Sequence, residues 1–189
     1  MRQIVHHEQC RRCRECCRFR ANRQDFAPIF TAGELDAIRQ VTDAMPEFVP
    51  FKDSGNIFQI QLVKAKIEDP VYPYVCPFLD EDKYECTIYD VRPFDCRIWP
   101  FIILKLSDTG EVKLAHFTGD ACLALEEASM EDFGEYEAYM QEMVTSENFL
   151  RFLNEHPDLI WEHHDQGKYV TIPSRDITRL LAETSGDAE

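Results

Sequence analysis

Eight cysteines stand in this chain, and four of them crowd into Cys10-x2-Cys13-x2-Cys16-Cys17. The others, Cys76, Cys86, Cys96 and Cys122, follow at spacings of 10, 10 and 26. No other feature constrains the fold as much. A Cys-x2-Cys pair can bring two sulfurs onto one metal ion, because the backbone between them turns tightly around it. Three cysteines at this spacing can surround one face of an iron–sulfur cluster. Adjacent Cys16 and Cys17 are harder to place on one ion, since consecutive side chains diverge in helix and strand alike. If residues 10–17 are helical, ~100° per residue puts Cys10, Cys13 and Cys17 within a ~60° sector, with Cys16 a further ~60° round. All four can then face one centre.

The opening MRQIVHHEQCRRC has no apolar core of the kind a secretory signal needs, so a reducing, cytoplasmic setting is expected. There, clustered cysteines bind metal more often than they form disulfides. The overlapping Cys-x2-Cys pairs and the vicinal pair could instead exchange disulfides, but no βαβ context accompanies them. Zinc or an oxidised [4Fe–4S] core on four thiolates would carry the same charge of about −2, so charge does not separate them. His6–His7 and His163–His164 are candidate additional ligands, weighed against ordinary solvated pairs. His116 and His156 have weaker claims.

The net charge of −15 is unevenly placed. Residues 1–23 hold seven arginines against Glu8 and Glu15, a net of +5, which leaves −20 for the rest. Two compatible readings arise: the arginines offset a metal–thiolate centre, or a basic arm docks on an acidic body or partner. The overall acidity argues against nucleic acid as a partner. The longest apolar stretch, Ile98 to Leu104, is far short of the ~20 residues of a membrane span. The 7 glycines form no phosphate-cradling loop, and neither G-x-S-x-G nor H-E-x-x-H occurs.

At 189 residues with 44% apolar content the chain can bury a real core. Thr31 and Glu34 form a capping-box pattern ahead of Leu35, Ile38 and Val41, predicting a helix near 31–41. Alternation over Asn56 to Lys64 predicts one half-buried strand after an Asp53-Ser54-Gly55-Asn56 turn. Cys76 to Leu79 and Tyr84 to Tyr89 read as strands joined by a polar turn. Arg92-Pro93 starts a single helical turn carrying Cys96. Phe101 to Leu106 and Val112 to Phe117 read as a hairpin around Ser107-Asp108-Thr109-Gly110. Residues 126–144 form an acidic helix with Ser129 as N-cap, whose stripe of Met130, Phe133, Tyr136, Met140 and Val144 reads as core packing. A helix follows Ser146 and ends before Pro157. Lys168 to Ile172 reads as a strand, Ser174 caps a short last helix, and Glu183 to Glu189 fray.

The run Cys10-x2-Cys13-x2-Cys16-Cys17, then Cys76-Pro77-Phe78-Leu79, then Cys86-Thr87-Ile88-Tyr89-Asp90-Val91-Arg92-Pro93-Phe94-Asp95-Cys96-Arg97-Ile98-Trp99-Pro100 resembles the YkgJ-type cysteine-cluster family, a zinc- or iron-chelating domain. The resemblance covers about residues 8–125. It implies that Cys10, Cys13, Cys16, Cys17, Cys76, Cys86, Cys96 and Cys122 are metal ligands or close to them. Members resembling flagellin lysine N-methylase extend the implication to protein modification. The sequence departs from the family at Cys122, followed by Leu123-Ala124 where members carry Pro-Gly. Arg92 and Arg97 are candidates to donate hydrogen bonds to sulfur or carbonyl groups, with ion pairs to Asp90 or Asp95 as the alternative. Phe78, Ile88, Tyr89, Phe94 and Trp99 are expected around the centre.

The expectation is therefore an α+β fold, with small antiparallel hairpins and short helices around a Cys-bound metal centre. Its domains are a cysteine-cluster domain, 1–125, and an acidic helical extension, 126–189, packed on it. The cofactor is an iron–sulfur cluster or zinc. The partners are metal ions and a protein partner, with neither nucleic acid nor membrane. The competing functions are redox or electron transfer, a cluster-dependent protein-modifying enzyme, and a zinc-stapled interaction module.

Overall fold

The computed structural model describes residues 5, 7–13, 16–117, 130–163, 169–173 and 176–186, and the chain divides into two units, Met1–Ile98 and Trp99–Glu189. The fold is α+β. In the first unit, helix α1 (His7–Cys13) ends at its second cysteine, and Cys16–Cys17 form a turn. The helix therefore does not run through all four cysteines. Strand β1 (Arg18–Phe19) and a 3-10 turn (Gln24–Phe26) lead to β2 (Ile29–Thr31) and α2 (Ala32–Arg39). The capping box closes as its spacing predicts: Thr31 Oγ1 accepts from Glu34 N at 3.2 Å, and Glu34 Oε2 accepts from Thr31 N at 2.9 Å. Leu35 and Ile38 are buried, but α2 stops at Arg39 and leaves Val41 exposed.

Strands β3 (Phe48–Pro50) and β4 (Ile57–Ile60) join β2 in an antiparallel sheet of order β2-β4-β3. The single strand expected over 56–64 is two. Past Ile60 the chain leaves this sheet, and β5 (Val63–Lys64) pairs instead with β6 (Tyr74–Val75) in the sheet β1-β6-β5. Gln59 is tolerated in the central strand because its side-chain amide donates to Asp25 O at 3.0 Å and to Ala27 O at 2.9 Å.

The next hairpin is shorter than its pattern, with β7 (Leu79–Asp80) against β8 (Glu85–Cys86). Cys76 to Leu79 is not a strand but a turn closed by Leu79 N donating to Cys76 O at 2.9 Å. Pro77 explains this: it lacks an N–H for a ladder and its fixed φ suits the second turn position. A 3-10 turn (Tyr89–Val91) then leads to α3 (Phe94–Ile98), the helical turn that carries Cys96. Phe19, Phe30, Leu35, Ile38, Ile60, Phe78 and Ile88 form this unit's core with Cys76, and Cys17 and Cys86 pack against it.

In the second unit, β9 (Phe101–Leu106) and β10 (Val112–Phe117) form the expected hairpin. Gly110, at φ 72°, takes the left-handed turn position that disfavours side chains. Helix α4 (Met130–Val144) follows, and residues 126–129 of the expected helix, Ser129 among them, lie outside the described residues. Tyr136, Met140 and Val144 are buried, and Phe101 packs on Phe133 and Tyr136 at 6.1 and 5.4 Å. From Phe133 to Val144 the stripe is core packing, as expected, and the Met130 side chain lies outside the described residues. Helix α5 (Glu147–Glu155) starts after Ser146, whose hydroxyl donates to Met143 O at 2.7 Å instead of capping.

Strands β11 (Trp161–His163) and β12 (Tyr169–Thr171) complete the order β11-β9-β10-β12, with β11 parallel to β9. The parallel strand was not anticipated. Helix α6 (Ile177–Gly186) continues through Glu183, where fraying was expected, and the anticipated cap Ser174 lies outside the described residues. No helix among the described residues is long and apolar enough to cross a membrane.

Candidate metal centre

Separate segments of the first unit deliver the thiols. Cys10 and Cys13 lie on α1, Cys16 and Cys17 in the turn before β1, Cys76 just past β6, Cys86 on β8 and Cys96 on α3. The sheet sets one juxtaposition directly. Arg18 pairs with Val75, and Cys76 N donates to Cys17 O at 2.9 Å, so the antiparallel ladder puts Cys17 opposite Cys76. The turn at Pro77 and the register Leu79↔Cys86 return Cys86 to the same end. Six of the cysteines, 10, 16, 17, 76, 86 and 96, carry thiols rather than disulfides. The Cys13 side chain and Cys122 lie outside the described residues, as do the side chains of both histidine pairs.

The electrostatics show that these six thiols share one neighbourhood. Burial pushes the Cys17 thiol well above its ordinary range, and the charges of Cys76, Cys16, Cys86 and Cys10 push it further. Burial does the same at Cys96, reinforced by Asp95, Cys76, Cys17 and Cys86. Cys76 is pushed up to about 12, chiefly by burial, with Cys86 adding to it and the Phe78 N–H opposing. Burial also raises Cys86, while the Ile88 N–H and the Arg92 charge favour its thiolate. Cys17 and Cys96 keep some accessible surface even though dense packing surrounds their sulfurs. The thiolate state of such a group is disfavoured by desolvation and mutual repulsion unless a cation replaces the protons. Soft sulfur donors suit zinc or iron, so the donor set fits the implied metal. Among the described residues no three donor side chains are already disposed as a ligand set.

The helix carrying Cys96 is fixed by a residue that local patterns assign to another task. Glu34 Oε1 accepts from Phe94 N at 2.6 Å and from Arg97 Nη2 at 3.4 Å, while Oε2 closes the α2 capping box. One carboxylate thus satisfies the N-cap N–H of α2 and the first N–H of α3. Asp95 Oδ2 accepts from Ile29 N at 3.3 Å and ties α3 to β2. The capping-box spacing reveals half of Glu34's role, but nothing local reveals the half that reaches α3. Arg97 pairs with Glu34 and not with the aspartates considered from sequence. Glu81 is a buried carboxylate that sequence reasoning missed; both its oxygens accept from Lys66 N, at 3.1 and 2.9 Å.

Of the basic segment, Arg11 pairs with Glu85 at 3.0 Å and Arg18 with Asp69. Arg18 and Arg20 also lie over the Tyr72 ring. These contacts match the reading in which a basic arm docks on acidic groups. A cation also reaches the sulfurs: Arg92 Nη1 stands 3.9 Å from Cys10 Sγ. Phe78 and Ile88 border Cys76 as expected, whereas Trp99 falls in the second unit and stacks on Phe117 at 4.7 Å. His116 and His156 also pack on aromatic rings there, against Phe133 and Phe152.

No curated protein and no solved structure matches the chain. Residues 9–130, a span that takes in all eight cysteines, match a family defined by the same Cys-x2-Cys-x2-Cys-Cys run. Since that span covers more than half of the sequence, the chain belongs to the CxxCxxCC family, described as a "Putative zinc- or iron-chelating domain".

Proposed function

We propose that the protein holds an iron–sulfur centre through its cysteines and uses it in electron transfer to a protein partner in the cytoplasm. Cys10, Cys13, Cys16, Cys17, Cys76, Cys86, Cys96 and Cys122 would supply the ligands. The carrying observation is the neighbourhood of six thiols, which exceeds the four ligands of one tetrahedral zinc site. An iron–sulfur centre, when bound, supplies one-electron redox chemistry whose potential responds to burial and hydrogen bonds at sulfur. The chain's own contribution is the setting. Phe78 and Ile88 keep water from Cys76, and Arg92 offsets negative charge at Cys10 and Cys86.

A zinc-stapled fold is the second reading, favoured by the packing of Cys17, Cys76 and Cys86 against the core of the first unit. Anaerobic purification, metal analysis and an absorption spectrum separate the two. A brown protein with iron and acid-labile sulfide supports the first reading. A colourless protein with stoichiometric zinc supports the second. Absence of both metals, with all thiols titratable, contradicts metal binding altogether.

A further inference from the structure

Arg92 is one of few charged side chains that the first unit buries, at 9% exposure. A buried cation is costly unless anionic or strongly accepting groups surround it. Its surroundings are specific. The guanidinium lies over the Tyr89 ring at 3.7 Å, and Nε donates to Tyr89 O at 3.1 Å. Those two contacts fix the plane, which directs Nη1 toward Cys10 Sγ at 3.9 Å. That is long for an N–H···S contact, and it becomes charge-assisted once the sulfur is a thiolate. The same charge acts on Cys86.

The attachments of the N-terminal segment point the same way. Tyr89 Oη donates to Val5 O at 3.3 Å, and Arg11 pairs with Glu85 at 3.0 Å. With the Arg92–Cys10 contact, three links join α1 and Val5 ahead of it to the segment Glu85–Arg92. The ion pair is half exposed and weak. The Arg92 contact is more sheltered and ends on a cysteine.

We propose that Arg92 is a positioning residue that seats the N-terminal cysteine helix on the thiol cluster, holding Cys10 beside Cys86 for metal capture. The proposal rests on the reading of the cysteines as ligands. A lysine would keep the charge but lose the planar stack on Tyr89 and the second donor direction.

The test uses the full chain, reduced and anaerobic, with Arg92→Met, Arg92→Lys and, as the milder variant, Tyr89→Phe. Zinc affinity is read by competition with a chromophoric chelator, and helix seating by trypsin cleavage after Arg11 and Arg12 in the metal-free protein. Arg92→Met is expected to lose about 10–100-fold in zinc affinity, as when a metal ligand loses its orienting partner. It should also be cut faster at Arg11 and Arg12, with cleavage after Arg151 unchanged. Arg92→Lys should recover part of both. Tyr89→Phe, which keeps the stack and loses the Val5 contact, should speed cleavage and leave most of the affinity. Wild-type affinity in Arg92→Met, or protection lost throughout residues 16–98 instead of around the helix, overturns the proposal. If the wild-type chain binds no metal, the ligand reading fails separately, and wild-type cleavage of Arg92→Met at Arg11 and Arg12 still overturns the seating.

Discussion

In the second unit β9 and β10 run six residues each and bury Phe101, Ile103, Leu104 and Leu114 almost completely. In the first, no strand among the described residues exceeds four, and three of its cysteines belong to or pack against the core. The second unit thus rests on apolar burial in a continuous hairpin with packed helices. The first assembles short pieces through polar ties: Glu34 between two helices, Glu81 on the Lys66 amide, and Arg92 at Cys10. Two-residue strands cannot supply a sheet with independent stability. If the cysteines hold a metal as proposed, the difference predicts that the metal stabilises the first unit far more than the second.

Metal removal is the largest lever on that contrast. A structural thiolate site in a small fold contributes on the order of 10 kcal/mol of apparent binding energy to folding. Chelation under reducing conditions should therefore erase hydrogen-exchange protection in residues 16–98. The hairpin 101–117 and helices α4 and α5 should keep theirs. Equal loss in both units would break the comparison.

A cavity in the apolar unit gives the converse. Leu104→Ala should cost ~2–5 kcal/mol, by transfer and cavity terms, with metal content per folded chain unchanged. Thermal unfolding with metal analysis checks it. Glu34→Ala removes acceptors from both α2 and α3 and should cost roughly 2 kcal/mol, with faster metal loss to a chelator. A stable variant with wild-type metal retention would detach Glu34 from the site.

The alkaline response of metal-free protein is smaller and has a defined sign. The Cys76 thiol rises in the fold from 9.0 to about 12, so its contribution is fully present below about pH 9 and is lost between there and about pH 12. Within that window the unfolded chain has released a proton that the folded chain keeps, costing roughly 1.4 kcal/mol of stability per pH unit for one thiol. Denaturant midpoints from pH 8 to 10 should fall for metal-free protein. A flat profile would show that Cys76 is more solvated than its burial indicates.

What the sequence disclosed followed from how local each signal is. Thr31 and Glu34 are three residues apart, so their capping box was readable, as was the hairpin around Ser107-Asp108-Thr109-Gly110. At Cys76-Pro77 the apolar neighbours suggest a strand, but Pro77 lacks the N–H for a ladder and the chain turns. The split at Ile60–Val63 and the parallel pairing of Trp161–His163 with β9 depend on partners distant in sequence, which periodicity does not encode. The site divides likewise. The cysteine run announced metal chemistry, whereas Cys17 opposite Cys76 and Glu34 reaching Phe94 are products of tertiary pairing. Arg92, a candidate from sequence for donating to sulfur, does stand at Cys10, but nothing local shows which cysteine it meets.

The claim that separate segments bring their thiols to one metal-bound neighbourhood is tested most directly by differential alkylation of metal-loaded protein, mapped cysteine by cysteine before and after chelation. The account predicts that Cys10, Cys16, Cys17, Cys76, Cys86 and Cys96 are protected together and released together. Alkylation of exposed Cys16 at full rate in loaded protein, with the others reacting in order of their own exposure whether or not metal is present, would contradict it.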